Sequence, residues 1–311
     1  MKDLVNEIDE NCEKISIDSQ NGATLVGNFF DSNSDKGIIM FPGITEHRSS
    51  LYSFAERLNQ NGFKVWAFDL NSQGESTGNW DIAQMEESIY YIQEHLKKRY
   101  GLRGIGAFGN SAGGMAVGLA SSRKDSNLEC LCLTSTPSSI DVVIPKKLLK
   151  IARYIPQSLV KGAAIGFDKF QTDLLKNENY RRLSHSTFKI EEGYQPYAQF
   201  GALKIFNLNE IAKNALDAPN LSDYAQNINQ PILLIYGGED SLNGIKNSQL
   251  PNHIQRLYDS LRSKDKKLIL VPGASHALNS PPMKMDDCLN QDPKYLWVKD
   301  EVSNYFSKYM L

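Results

Sequence analysis

The 311-residue sequence has no run approaching the roughly 18 consecutive apolar residues that a membrane-spanning helix needs. Its longest apolar stretches are strand-sized, as in residues 231–236. The opening decapeptide, MKDLVNEIDE, sets acids between its apolar residues and lacks the continuous apolar core of a secretion signal. Charge of one sign is missing too: 34 Lys plus Arg against 36 Asp plus Glu leave a net charge of −2, which provides no footprint for nucleic acid. Cysteine is scarce. Cys12, Cys130, Cys132 and Cys288 form no C-x-x-C, and Cys130 and Cys132 sit in the apolar run 128–133, as buried reduced thiols of a cytoplasmic protein would. Metal-ligand spacings such as H-x-H or H-E-x-x-H are absent, so no metal is expected, and Met285-Asp-Asp-Cys288 reads as a polar loop. No dinucleotide cofactor is expected either, because the glycines Gly101, Gly104 and Gly106 precede the strand that such a fingerprint must follow.

What remains is an ordinary globular composition, 41% hydrophobic and 23% charged, which excludes disorder as a main theme. Two alternating segments, 13–18 and 23–30, are joined by Asn21-Gly22, a strong hairpin signal, and predict an antiparallel edge. Apolar runs follow at 37–41, 64–68, 104–108, 128–133, 232–236 and 267–271, the pattern of strands buried on both faces. Helical patterns lie between them. One covers 50–61 and stops at Gly62; another covers 81–100, with Ile82, Met85, Ile89, Ile92 and Leu96 spaced by three or four. Parallel strands with helical crossovers make a doubly wound α/β sheet, mostly parallel, whose ligands sit at the carboxyl ends of the strands. From 138 to 229 no β-run appears while prolines and glycines punctuate short helical patterns, which predicts an inserted helical cap. The expected organisation is a core in two parts, 1–137 and 230–311, with the cap at 138–229.

The loops after the strands carry the chemistry. After the run ending at Phe108 comes Gly109-Asn-Ser-Ala-Gly113, a G-x-S-x-G between strand and helix, which makes Ser111 the candidate nucleophile. A serine hydroxyl needs a base to take its proton. Of the five histidines, His276 follows the last strand in Pro272-Gly-Ala-Ser-His276, whereas His95, His185 and His253 fall in helical or cap segments as ordinary polar positions. The carboxylate should follow another strand, between serine and histidine in chain order. Gly237-Gly-Glu-Asp240 offers Asp240 and Glu239; Asp240 is preferred, and Asp141 is a further candidate. For the oxyanion, the backbone amide of Ala112 pairs with that of Ile44, in the loop Pro42-Gly-Ile-Thr-Glu-His47 after the first parallel strand.

Three segments, Pro42-Gly-Ile-Thr-Glu-His-Arg-Ser49, Phe68-Asp-Leu-Asn-Ser-Gln-Gly-Glu-Ser-Thr-Gly78 and Gly109-Asn-Ser-Ala-Gly-Gly114, resemble the monoacylglycerol lipase and serine aminopeptidase branch of the α/β-hydrolases. The resemblance spans residues 36–136 and 230–309. Where that family usually reads His-Gly, Gly-His-Gly and Gly-His-Ser, this chain has Pro42-Gly43, Ser72-Gln73-Gly74 and Gly109-Asn110-Ser111. Asp69 and Gly74 match the second motif and read as loop-fixing residues. The resemblance implies the α/β-hydrolase fold and a serine hydrolase, carboxylesterase or monoacylglycerol-lipase-like, acting on a small-molecule acyl substrate. Thioesterase, acyltransferase and peptidase variants of the same triad stay open, as does a non-catalytic homologue that binds a small ligand. In the cap entrance, 145–156, Leu148, Ala152 and Ile155 share one helical face and Lys146, Lys150 and Arg153 another. That segment reads first as a lid helix over the pocket, with weak contact to an anionic membrane surface as the alternative.

Overall fold

The computed structural model describes residues 12–44, 46–143, 146–154, 208–276, 278 and 292–311. Eight strands form one sheet: β1 (Glu13–Asp18), β2 (Thr24–Phe30), β3 (Lys36–Phe41), β4 (Lys64–Phe68), β5 (Gly104–Asn110), β6 (Leu128–Thr134), β7 (Ile232–Gly237) and β8 (Lys266–Val271). Their order is β1-β2-β4-β3-β5-β6-β7-β8. The β1–β2 and β2–β4 pairs are antiparallel and every other pair is parallel, so the expected antiparallel edge and parallel body are both present. Strand order reverses at β3, which pairs with β4 on one side and β5 on the other. The carboxyl ends of β3 and β5 therefore flank the crevice where an open α/β sheet binds its ligands.

Period-two alternation divides each central strand between two cores. Ile39 and Phe41 of β3 face one core, Ile38 and Met40 the other. Helices α1 (Tyr52–Gln60), α2 (Ile82–Arg99) and α3 (Ala112–Ser121) cover the sheet. The apolar stripe of α2 packs in the Ile39 core, while α1 packs in the Ile38 core. Each fully buried Leu, Ile or Phe contributes about 1.5–3 kcal/mol, which is why a stripe at three-and-four spacing decides the face. Asp81 caps α2, its Oδ1 accepting the Ala83 N–H at 2.9 Å, and Lys97, Lys98 and Arg99 suit the negative end of the helix dipole. The helix expected over 50–61 starts later, because Arg48–Leu51 forms a 3-10 turn first.

Within 138–229, the described residues include α4 (Lys146–Ala152) and α5 (Leu208–Asp217) together with short helical turns at Ile140–Val143, Leu221–Tyr224 and Ala225–Asn227, and much of the expected cap lies outside the described residues. Here the structure corrects one expectation. Helix α4 packs against α5 and buries Leu149, whereas Leu148 is 59% exposed; Ile155 lies outside the described residues. Seven residues make two turns, too few for periodicity to fix the buried face. Helices α6 (Asn252–Ser260) and α7 (Pro293–Met310) complete the layers, α6 adding Ile254 and Leu257 to the Ile39 core and α7 adding Val298, Val302 and Phe306 to the other. No helix among the described residues is long and apolar enough to cross a membrane.

Candidate active site

Ser111 stands between the last residue of β5 and the first of α3, with φ 50° and ψ −116°, a backbone conformation costly for a residue with a Cβ. Glycines on both sides permit the turn. A Cβ on Gly109 would lie 2.5 Å from the Gly114 Cα, and one on Gly113 would lie 2.4 Å from the Pro42 carbonyl oxygen. Strand, helix and the β3 loop thus approach more closely than alanine would allow. The Ser111 N–H donates to the Thr134 carbonyl at 2.8 Å, which fastens the turn to the end of β6. Ala112 is the first residue of α3, where an N–H has no intrahelical acceptor, and Ile44 follows Gly43 just beyond β3.

The loops after β7 and β8 are zipped together by backbone bonds. Gly238 N–H donates to the Val271 carbonyl at 2.8 Å and Glu239 N–H to that of Ala274 at 2.9 Å. These bonds bring Asp240 beneath His276, whose Nδ1 lies 2.7 Å from Asp240 Oδ1. Asp240 is fully buried and His276 is 5% exposed. Asn243 holds the carboxylate from its other side: its N–H reaches Oδ1 at 3.1 Å, and its Nδ2 reaches Oδ2 at 2.9 Å and the Ser135 carbonyl at 2.8 Å. Ser135 Oγ donates in turn to the His276 carbonyl at 2.6 Å. The end of β6 therefore clamps the serine turn through Thr134 and the histidine loop through Ser135. Only one of the two adjacent acids meets the imidazole. Glu239 points away and accepts the Asn247 N–H at 2.9 Å, while Asp141 is paired with Lys146 at 3.1 Å.

Glu46, which the sequence reading did not single out, lies beside the candidate nucleophile turn. Its Oε2 accepts the Gly43 N–H at 2.7 Å and the Asn110 Nδ2–H at 3.1 Å. Burial pushes its carboxyl above the ordinary 4.5, opposed chiefly by the Gly43 and Asn110 hydrogen bonds. Asn243 was also missed, although an amide three residues after a strand-end acid is a turn-forming pattern that could have drawn notice.

His47, Asp69 and Glu75 place three possible metal-ligand atoms within 4.8 Å of one another. The buried Arg48 guanidinium already lies among them. Its Nη1 bonds Asp69 Oδ2 and comes within 3.0 Å of His47 Nε2, and its Nη2 bonds Glu75. Burial is the largest single influence and works against the guanidinium charge, but Asp69, Tyr52 and Glu75 together outweigh it and raise the Arg48 pKa above its ordinary value. Asp69 further accepts the Arg48 N–H at 2.7 Å and the Glu75 N–H at 3.0 Å, and a Cβ on Gly74 would strike its carboxylate, so both residues fix this loop. His95 and His253 lie on α2 and α6; His185 is outside the described residues.

The family Hydrolase_4, described as serine aminopeptidase, S33, matches residues 32–280. No curated protein matches the chain. Among solved structures, the Pyrococcus furiosus esterase PF2001 aligns with TM-score 0.64 and 18% identity over 100% of this chain and 94% of that one. The epoxide hydrolase CorEH aligns with TM-score 0.71 and 14% identity over 96% and 99% of the two chains. A thermophilic esterase from Thermogutta terrifontis aligns with TM-score 0.62 and 18% identity over 96% and 100%. At these identities the likeness is one of fold.

Proposed function

The chain belongs to the serine aminopeptidase S33 family of α/β-hydrolases, and on that premise we propose that it cleaves an ester or related acyl bond by attack from Ser111. His276 Nε2 takes the hydroxyl proton as the Ser111 Oγ–carbonyl bond forms, and returns it to the departing alkoxide. Asp240 accepts the Nδ1–H, which selects the tautomer with a basic Nε2 and stabilises the imidazolium once formed. The amides of Ile44 and Ala112 receive the oxyanion, each such donor typically contributing about 2.7–4 kcal/mol to the transition state. Water then repeats the sequence on the acyl-enzyme, with His276 again as base.

The observation that carries this reading is the 2.7 Å Asp240–His276 pair in the loops after β7 and β8, tied through the end of β6 to the turn that holds Ser111 at positive φ. A binding protein needs neither a strained serine nor an imidazole oriented by a fully buried acid. Ester is preferred to amide because an alkoxide leaves a tetrahedral intermediate more readily than an amine; thiol leaving groups and alcohol acceptors would use the same groups. Incubation with a fluorophosphonate probe tests the proposal. Labelling should map to Ser111 and vanish in Ser111→Ala, together with turnover of p-nitrophenyl acetate. Folded protein that neither labels nor turns over a panel of short esters, monoacylglycerols, acyl thioesters and aminoacyl anilides would refute it and favour a ligand-binding role.

A further inference from the structure

The Gly43–Ile44 peptide is held from an unexpected side. Its carbonyl, Gly43 O, accepts a hydrogen bond from Gln73 Nε2 at 3.2 Å and another from the Glu46 N–H at 3.3 Å. A trans peptide is planar, with its C=O and N–H pointing in opposite directions. Whatever fixes the Gly43 carbonyl therefore fixes the direction of the Ile44 N–H. The preceding peptide is fixed as well, since the Gly43 N–H donates to Glu46 Oε2, and that same oxygen accepts from Asn110, the neighbour of Ser111. Asn110 is itself oriented, its Oδ1 accepting the Thr134 hydroxyl at 3.0 Å. Gln73 is fully buried and lies in a loop 30 residues away from its acceptor.

We infer that Gln73 and Glu46 are positioning residues that aim the Ile44 amide at the oxyanion, Gln73 by gripping the opposite end of that peptide and Glu46 by tying the loop to the nucleophile turn. The inference rests on the acyl-transfer reading above and adds to it the groups that set its second oxyanion donor. It also accounts for Gln73 and Asn110 at positions where the family usually carries histidine: each supplies an amide N–H donor to the loop, whatever the protonation state of its surroundings. Neither side chain needs to touch the substrate for this.

Steady-state hydrolysis of p-nitrophenyl acetate by Gln73→Leu, Glu46→Ala and Glu46→Gln tests it, with Ser111→Ala as reference. Aiming an amide wrongly should cost less than removing one, so Gln73→Leu and Glu46→Ala should each lower kcat by about 10- to 100-fold. KM should stay within about threefold, since the donor acts on charge that develops in the transition state. Affinity for a trifluoromethyl ketone, whose serine adduct carries the oxyanion, should fall in parallel. Glu46→Gln keeps an acceptor for the Gly43 N–H and should retain most activity. Equal losses for Glu46→Gln and Glu46→Ala, a change confined to KM, or unchanged ketone affinity would overturn the inference while leaving the Ser111 mechanism intact. Turnover surviving in Ser111→Ala would overturn both. Should Gln73→Leu fail to fold, the contrast between the two Glu46 variants decides the matter.

Discussion

A single methyl group placed at Gly113 should inactivate the enzyme more than it unfolds it. Gly113 is the second residue of α3, and a Cβ there would lie 2.4 Å from the Pro42 carbonyl oxygen and 2.6 Å from that of Phe41. Ordinary contact begins at 3.4 Å, so α3 and the end of β3 must move apart by the difference, about 1 Å. No rotamer relieves the clash, because every atom involved is backbone or Cβ. The two proposed oxyanion donors ride on the separating pieces, Ala112 on α3 and Ile44 on the loop after β3. A misplacement of about 1 Å costs about 100-fold in rate, whereas overpacking by one methyl costs about 1–3 kcal/mol of stability. Gly118→Ala is the control: it lies in the same helix, and the three atoms nearest its added Cβ all belong to the Leu221 side chain, the nearest at 2.7 Å, so the clash falls on a side-chain end and not on the β3 backbone. Activity on p-nitrophenyl acetate, measured with Tm, should fall about 100-fold for Gly113→Ala and stay within a few-fold for Gly118→Ala. A folded Gly113→Ala enzyme with undiminished kcat would refute the placement of the donors on those two elements.

Asp240→Asn should lower kcat by a factor on the order of 10⁴ through loss of the correct imidazole tautomer, while Glu239→Gln should leave kcat within about twofold; the opposite ranking in the same ester assay would reassign the acid. Arg48→Met leaves Asp69 buried without its cation and should cost about 3–5 kcal/mol in urea unfolding; a loss below about 1 kcal/mol would show that the ion pair is replaceable. Because Glu46 is raised above its unfolded value, its contribution to stability is complete below about pH 4.5 and is lost as pH rises through the folded value. The Tm of Glu46→Gln relative to wild type should therefore increase as pH is raised from about 4.5, and a flat difference would contradict the shift. Burial raises the Cys130 and Cys132 thiols, so neither should react with Ellman's reagent before unfolding, as peptide mapping of the modified protein can check.

The strands are legible in the sequence for one physical reason: a segment buried on both faces must be apolar throughout, and the polar residues after it mark the loops where candidate site residues are sought. Candidate Ser111 follows β5 immediately, and candidates Asp240 and His276 lie in the loops that follow β7 and β8. Choosing Asp240 over Glu239 was beyond spacing, since adjacent residues share a loop; the backbone zipper between the β7 and β8 loops makes the distinction, and it exists only in the folded chain. Leu149 rather than Leu148 is buried in α4 for a similar reason, because the neighbouring α5 selects the face. Gln73, Glu46 and Asn243 were hardest to read, because each is a polar residue in a loop whose key partners include backbone atoms. A backbone acceptor leaves no trace in residue type, so no motif can pair Gln73 with Gly43 across 30 positions. The same fact bears on two of the three motif departures. Replacing histidine by Gln73 or Asn110 looks like loss when letters are compared, yet the folded loop uses each new side chain as a hydrogen-bond donor to the Gly43–Glu46 segment. On the proposed reading, what the loop after β3 requires is a donor at a given place, and more than one residue type can supply it.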